Sequence, residues 1–314
     1  MRVWGQRPGQ PGGSISATKW GRGVMRRTFR FWTVGIGALA LTVALAGCSQ
    51  PSKTVELQPK VSPPAIQEAG TLRAGVNADY PPFAGSDNGR QAGLDLDVAA
   101  ALAERLGLKL KVVPVKPSEA ATALADGDVD VVFSVPFSAE SLSEVSLAGS
   151  YIADGPGFFV AADSTASAVP TMTTAKLPTA PGSIGAQKGS AAYWRLVRSM
   201  EPGTVKGYDT LREALDALNK KSVQVVAGDT LVAAYISRDF PKVRFAGQMS
   251  AAGLLGVGVA PDNSTLEDAV NGALDELAAG GVLDNLRQKW VGDLPKLTVT
   301  ASSTAGEATP TVAP

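Results

Sequence analysis

Apolar and polar positions follow two periods through the middle of this chain. Leu72 to Val76 is an apolar run of strand length, and Val98, Ala99, Leu102, Ala103 and Leu106 fall on one face of a helix that Gly107 ends. Leu108, Leu110 and Val112 then alternate with Lys109 and Lys111, the period of a half-exposed strand. A second helical stretch from Ser118 stops near Gly127, and Val129 to Phe133 reads as the next strand. Strands alternating with helices in this way predict an α/β domain with crossover helices.

The same unit echoes later in the chain. Ala123-Leu124, four residues, then Val129-Asp130-Val131-Val132 recurs as Ala217-Leu218, four residues, then Val223-Gln224-Val225-Val226. Two helix-strand units of one shape suggest two lobes of similar build, although Ala, Leu and Val recur in any α/β chain. The residues at the carboxyl end of each strand give the echo its meaning: Ser134 in the first, Gly228-Asp229 in the second. Ligands of open α/β sheets bind outside the carboxyl ends of strands. Polar residues there on two lobes would enclose a small molecule between them.

The N-terminal residues have a different pattern and fall outside that domain. An apolar run from Phe31 to Ala46 follows Arg26, Arg27 and Arg30 and ends in Leu45-Ala46-Gly47-Cys48, which holds the chain's single cysteine. A positive stretch, about 15 apolar residues and small residues at the cut make an export signal, and the run is too short for a spanning helix. Arg26-Arg27-Thr28-Phe29 also looks like part of a twin-arginine signal, and Met25 offers an alternative start. Residues 1–47 carry seven of the 29 basic residues and no acidic ones, so the remaining 22 stand against 29 acidic residues, a net charge of −7. A mildly acidic chain without a long Lys/Arg run has no electrostatic footprint for nucleic acid.

Candidate chemistry is narrowed further by what the composition lacks. With no histidine and one cysteine, the chain cannot build a histidine-cysteine zinc site, a Ser-His-Asp triad or a Cys-His dyad. No Gly-x-x-x-x-Gly-Lys-Ser/Thr loop argues for nucleotide hydrolysis. Neither a cofactor nor a metal is expected, and only carboxylate chemistry stays open. Residues 48–69, Ser-, Pro- and Lys-rich from Gln50 to Gln67, read as a flexible tether. Residues 295–314, Thr-, Ser-, Ala- and Pro-rich from Leu297, read as a disordered tail. About 225 residues between them suffice for one large or two small cores.

Leu45-Ala46-Gly47-Cys48 resembles the lipobox of bacterial lipoproteins, in which Cys48 would be acylated, with palmitate among its acyl groups, and become the first mature residue. The rest of the chain resembles the type 2 extracellular solute-binding proteins of ABC importers, nearest the branch that binds polar amino acids. The resemblance rests on Gly70-Thr71-Leu72-Arg73-Ala74-Gly75 leading to Asp79-Tyr80-Pro81-Pro82-Phe83, on Gly93-Leu94-Asp95-Leu96-Asp97 and on Gln187-Lys188-Gly189-Ser190. It continues through Ala227-Gly228-Asp229 and Leu283-Asp284-Asn285-Leu286-Arg287-Gln288-Lys289-Trp290. It implies a two-lobed fold of the type 2 periplasmic binding proteins, each lobe a mixed sheet flanked by helices. Lobe 1 would be residues 70–158 plus 256–294, lobe 2 residues 159–255, with two crossings forming a hinge. It also implies a monomer anchored by lipid to the extracytoplasmic face of the cell membrane, handing its ligand to ABC permease and ATPase subunits.

For an amino-acid ligand, the resemblance assigns roles residue by residue. Asp229 matches the position that holds the α-amino group, and it could equally cap the helix beginning near Thr230. Gly189-Ser190-Ala191 matches the helix start whose amides receive a carboxylate, or forms an ordinary glycine turn. The family's carboxylate-binding arginine is missing, because Ser134 to Val145 contains none. Lys188 is the nearest substitute cation, unless it is a plain surface lysine, and Ser134 and Ser138 could donate neutral hydrogen bonds. Tyr80 and Phe83 match aromatic positions near the ligand side chain, Phe83 with the alternative of plugging the core. Asn77 stands where binders of basic amino acids often have Asp, which disfavours a cationic side chain. A carboxylate-dependent dehydratase on the same scaffold, using Asp79, Asp95 or Asp229 as acid, is the alternative. A degenerate binder retained as sensor or scaffold is a third.

Overall fold

The computed structural model describes residues 57–87, 89–136, 144–164 and 177–299. Cys48 and its export signal, Ser138 and most of the stretch that lacks the family arginine lie outside the described residues. The chain begins with β1 (Thr71–Val76), a small hairpin of β2 (Gly85–Asp87) and β3 (Arg90–Ala92), α1 (Leu94–Arg105) and β4 (Lys109–Pro114). A 3-10 turn at Pro117–Glu119 runs into α2 (Ala120–Ala125), followed by β5 (Val131–Pro136), β6 (Ser146–Asp154) and β7 (Pro156–Ala161). Then come β8 (Ile184–Gln187), α3 (Ala191–Ser199), β9 (Val205–Tyr208), α4 (Leu211–Asn219), β10 (Val225–Asp229) and α5 (Thr230–Ser237). β11 (Val243–Gln248), β12 (Gly253–Val259), α6 (Ser264–Ala279) and α7 (Val282–Val291) complete the chain.

The fold is α/β in two lobes, each a mixed sheet flanked by helices. One five-stranded sheet has the order β4-β1-β5-β12-β6, the other β9-β8-β10-β7-β11. In each, three neighbouring strands run parallel, the fourth runs opposite to them and the fifth pairs antiparallel with the fourth. The strands of the internal echo, β5 and β10, each occupy the centre of their sheet. The chain passes from the first sheet to the second between Asp154 and Pro156 and returns between Gln248 and Gly253.

The apolar pattern places the core. Leu72, Val98, Leu102 and Leu106 are buried together with the inner face of α6. Gly107 follows α1 with φ of 71°, and a Cβ there would lie 2.0 Å from the Gln58 carbonyl oxygen, so only glycine fits this helix end. In the second lobe α4 opens with a reciprocal cap between Thr210 and Glu213. Pro117 starts the 3-10 turn, so regular helix begins at Ala120 rather than Ser118.

Both flanking segments are tied in where the sequence suggested freedom. The expected tether closes onto the first lobe from Lys60: its N–H donates to the Leu106 carbonyl at 2.8 Å, and Val61 and Ile66 are 6 % and 1 % exposed. Gln67 N–H donates to the buried Asp130 carboxylate at 3.0 Å. The expected tail from Pro295 is likewise fixed as far as Val299. Thr298 N–H donates to Gln248 Oε1 at 2.7 Å, and its carbonyl accepts from Gln248 Nε2 at 2.9 Å and from Ala252 N–H at 2.8 Å. Buried polar side chains, Asp130 and Gln248, take part in both attachments, and leaving their hydrogen-bonding groups bare would cost their desolvation.

Candidate functional site

β1 delivers the chain to Asn77 at its carboxyl end, and a tight loop returns through Tyr80. Tyr80 N–H donates to the Ala84 carbonyl at 2.9 Å, and Phe83 N–H donates to the Tyr80 carbonyl at 2.9 Å. The two rings stack, with centroids 5.3 Å apart and planes within 3°. Phe83 is 1 % exposed and Tyr80 39 %, so the inner ring anchors the loop and the outer ring faces the cleft. Gly93 passes under this loop, where a Cβ would lie 2.1 Å from the Phe83 carbonyl oxygen, and that close approach explains the glycine ahead of α1.

Asp95, in the first turn of α1, is 1 % exposed and forms the hub of a buried polar cluster. Tyr151 OH donates to its Oδ1 at 2.6 Å and Ser134 Oγ to its Oδ2 at 2.7 Å. Ser134, with φ of 58° in the left-handed region, also donates its N–H to the Tyr151 oxygen at 2.9 Å. Burial pushes the Asp95 carboxyl up to about 6 against the pull of these two hydrogen bonds. Burial first, and then the Asp95 charge, holds the Tyr151 phenol well above its ordinary value. A cavity of about 480 Å³ opens beside this cluster, with Gly75, Asn77, Tyr80, Phe83, Asp95 and Ser134 along its walls. The Ser134 hydroxyl proton, expected for a ligand, is given to Asp95.

A second acidic group lies at the crossing between the lobes. Asp229 ends β10 and sits at the N-cap of α5, yet its side chain makes no cap hydrogen bond. Asp154, at the end of β6, supplies the acceptor instead: its Oδ1 takes the N–H of Leu231 at 3.1 Å and of Gly155 at 2.8 Å. The cap of α5 thus comes from the other side of the crossing, and the partly buried Asp229 carboxylate stays out of it. Burial raises the Asp229 pKa. Burial pushes Asp154 up to about 7, with the backbone amides pulling it down and the Asp229 charge adding to the rise. Tyr80 is pushed up to about 12, by burial and then by Asp229 and Asp154, so all three groups share one electrostatic neighbourhood.

At the start of α3, Gly189 has φ of 79° with open space around its missing side chain. Ser190 caps the helix, its Oγ accepting the Tyr193 N–H at 3.1 Å. The N–H groups of Ala191 and Ala192 have no acceptor among the described residues, the usual condition of a helix start. Lys188, the candidate substitute cation, is engaged elsewhere in this structure. Its Nζ pairs with Asp209 Oδ1 at 2.9 Å on the surface, a bond that raises its pKa. Asp79 is exposed and outside the cavity, which removes it as a buried acid. Sequence reasoning missed Tyr151 and Asp154; the Asp154-Gly155-Pro156 turn after a strand is the signal that could have found the latter.

Comparisons with known proteins agree with this architecture. The sequence profile of the bacterial extracellular solute-binding proteins, family 3, matches residues 72–293. The L-cystine-binding protein TcyJ of Escherichia coli (strain K12) is 25% identical over 230 residues, 72% of this chain and 85% of that protein. Cyclohexadienyl dehydratase of Pseudomonas aeruginosa is 31% identical over 133 residues, 42% of this chain and 46% of the enzyme. Among solved structures, an ancestral cationic amino acid solute binding protein superposes with a TM-score of 0.59 at 27% identity, covering 71% of this chain and 96% of the other.

Proposed function

The chain belongs to the bacterial extracellular solute-binding proteins, family 3, and on that premise we propose that it captures a small zwitterion, an amino acid or close relative, for an ABC importer. The observation that supports this reading is Asp229: a carboxylate released from capping by Asp154 and near enough to Tyr80 for its charge to raise the phenol's pKa. An ammonium brought there finds its counter-charge in Asp229, and the amides at the start of α3 receive the ligand's carboxylate. The crossings at 154–156 and 248–253 act as the hinge, and closure selects the state that makes both contacts. Cys48 anchors the mature monomer by lipid to the extracytoplasmic face of the membrane, where permease and ATPase subunits take over the solute. The relative TcyJ, named for binding L-cystine, supports an amino acid as the ligand class.

A thermal-shift panel of L-amino acids tests this directly. A ligand at 100 times its dissociation constant adds about 2.7 kcal/mol to stability, and a panel in which nothing raises the melting temperature refutes the reading. One observation favours a second reading, a carboxylate-dependent dehydratase: Asp95, on the cavity wall and pushed up to about 6 by burial, could act as a proton donor near neutrality. Turnover of a prephenate-like substrate, absent under the first reading, separates the two.

A further inference from the structure

Resting on the zwitterion reading, we propose that the ligand carries a neutral apolar side chain, branched aliphatic or aromatic, which enters the first-lobe cavity behind Tyr80. The cavity's far walls are Val115, Pro117, Ala120, Ala121, Val132 and Val145, hydrocarbon from four separate segments. Its volume of about 480 Å³ exists because α2 begins with two alanines after a proline turn, where longer side chains would fill the space. Gly75 forms part of the floor; a Cβ there would press within 3.0 Å of Val132 and 3.1 Å of Val115, so floor and wall are already in contact.

The charges around this space do not suit a cation. Both oxygens of Asp95 accept from hydroxyls, of Tyr151 and Ser134, so its charge is answered inside the protein. Lys116 is exposed and paired with Glu119 at 3.2 Å, and Glu144 is exposed at the rim. A guanidinium or ammonium reaching the alanine and valine end would exchange water for methyl groups, since Glu144, the carboxylate without a partner among the described lining residues, stands exposed at the rim. An apolar group loses nothing there and gains burial, worth roughly 10- to 100-fold in affinity over L-alanine, which offers only a methyl.

The test is titration calorimetry of the full chain with L-alanine, L-leucine, L-phenylalanine and L-arginine. Leucine or phenylalanine binding at least 10-fold tighter than alanine, with arginine weakest, supports the proposal. Ala121→Phe, which fills the cavity, should bring the leucine-to-alanine affinity ratio toward one. Ala120→Leu gives the same readout should the larger ring prevent folding. Arginine binding as tightly as leucine, or a ratio unmoved in both variants, overturns the side-chain assignment while leaving the zwitterion reading standing. Failure of all four ligands to bind overturns the side-chain assignment, and the full L-amino-acid panel then decides the zwitterion reading.

Discussion

Asp154→Asn isolates the electrostatics of the crossing. The amide retains a carbonyl oxygen for the N–H groups of Leu231 and Gly155, so the cap on α5 survives while the ionisable group is lost. In the native protein this carboxyl is pushed from 3.8 up to about 7, chiefly by burial, with Asp229 and Tyr80 as its titratable neighbours. A raised carboxyl binds its proton more tightly folded than unfolded. Its contribution is therefore fully present below about pH 3.8 and lost as pH climbs through about 7. At ~1.4 kcal/mol per pH unit the interval sets a ceiling of about 4 kcal/mol. Water reaching the half-buried carboxylate reduces the expectation to about 2 kcal/mol. Urea unfolding of native protein and variant from pH 4 to pH 8 should show the variant gaining about that much relative to native as pH rises. Asp95, raised to about 6 by burial, bends both curves alike and cancels in the difference. A difference that stays flat across this range would refute the reasoning.

Two more outcomes rest on the buried polar contacts. Asp130, 6 % exposed, accepts from the Arg73 guanidinium at 3.0 Å and from the backbone N–H groups of Arg73 and Gln67. Asp130→Ala should cost about 3–5 kcal/mol by leaving Arg73 unpaired, read from the denaturation midpoint; a loss under about 1 kcal/mol would show the pair to be solvated. Gln248→Ala removes both side-chain bonds to Thr298 and should cost about 1–3 kcal/mol. Hydrogen exchange should show faster exchange of the Thr298 amide in that variant, and unchanged protection would mean that other contacts hold the segment.

The parts of the fold that repeat locally could be read from the sequence. The echo around Val131 and Val225 announced two sheets, because each unit ends in a continuous apolar strand that is buried on both faces and so lands in the same central place. Gly107 was equally visible as the end of α1, since its left-handed backbone belongs to that helix end, whereas Gly93 and the Tyr80 loop came through the family resemblance. What remained hidden depends on partners distant in sequence. Asp154 caps a helix 77 residues away, and Tyr151 meets Asp95 across 56 residues; neither contact leaves a period in the chain. For Asp229 the sequence left two roles open, cap and ligand contact, because a competing cap acts only through space. Val61, Ile66 and Thr298 looked like linker and tail for the same reason: composition suggests freedom, and one buried acceptor removes it.

The most direct measurement is titration calorimetry of native protein and Asp229→Ala with whichever L-amino acid gives the largest thermal shift. One saturable site in the native protein is expected. In the variant, whose unfolding curve should match the native one, truncating the charge partner should weaken binding by about 2–5 kcal/mol, roughly 30-fold or more. Equal affinity in the two proteins would contradict an amine held by Asp229.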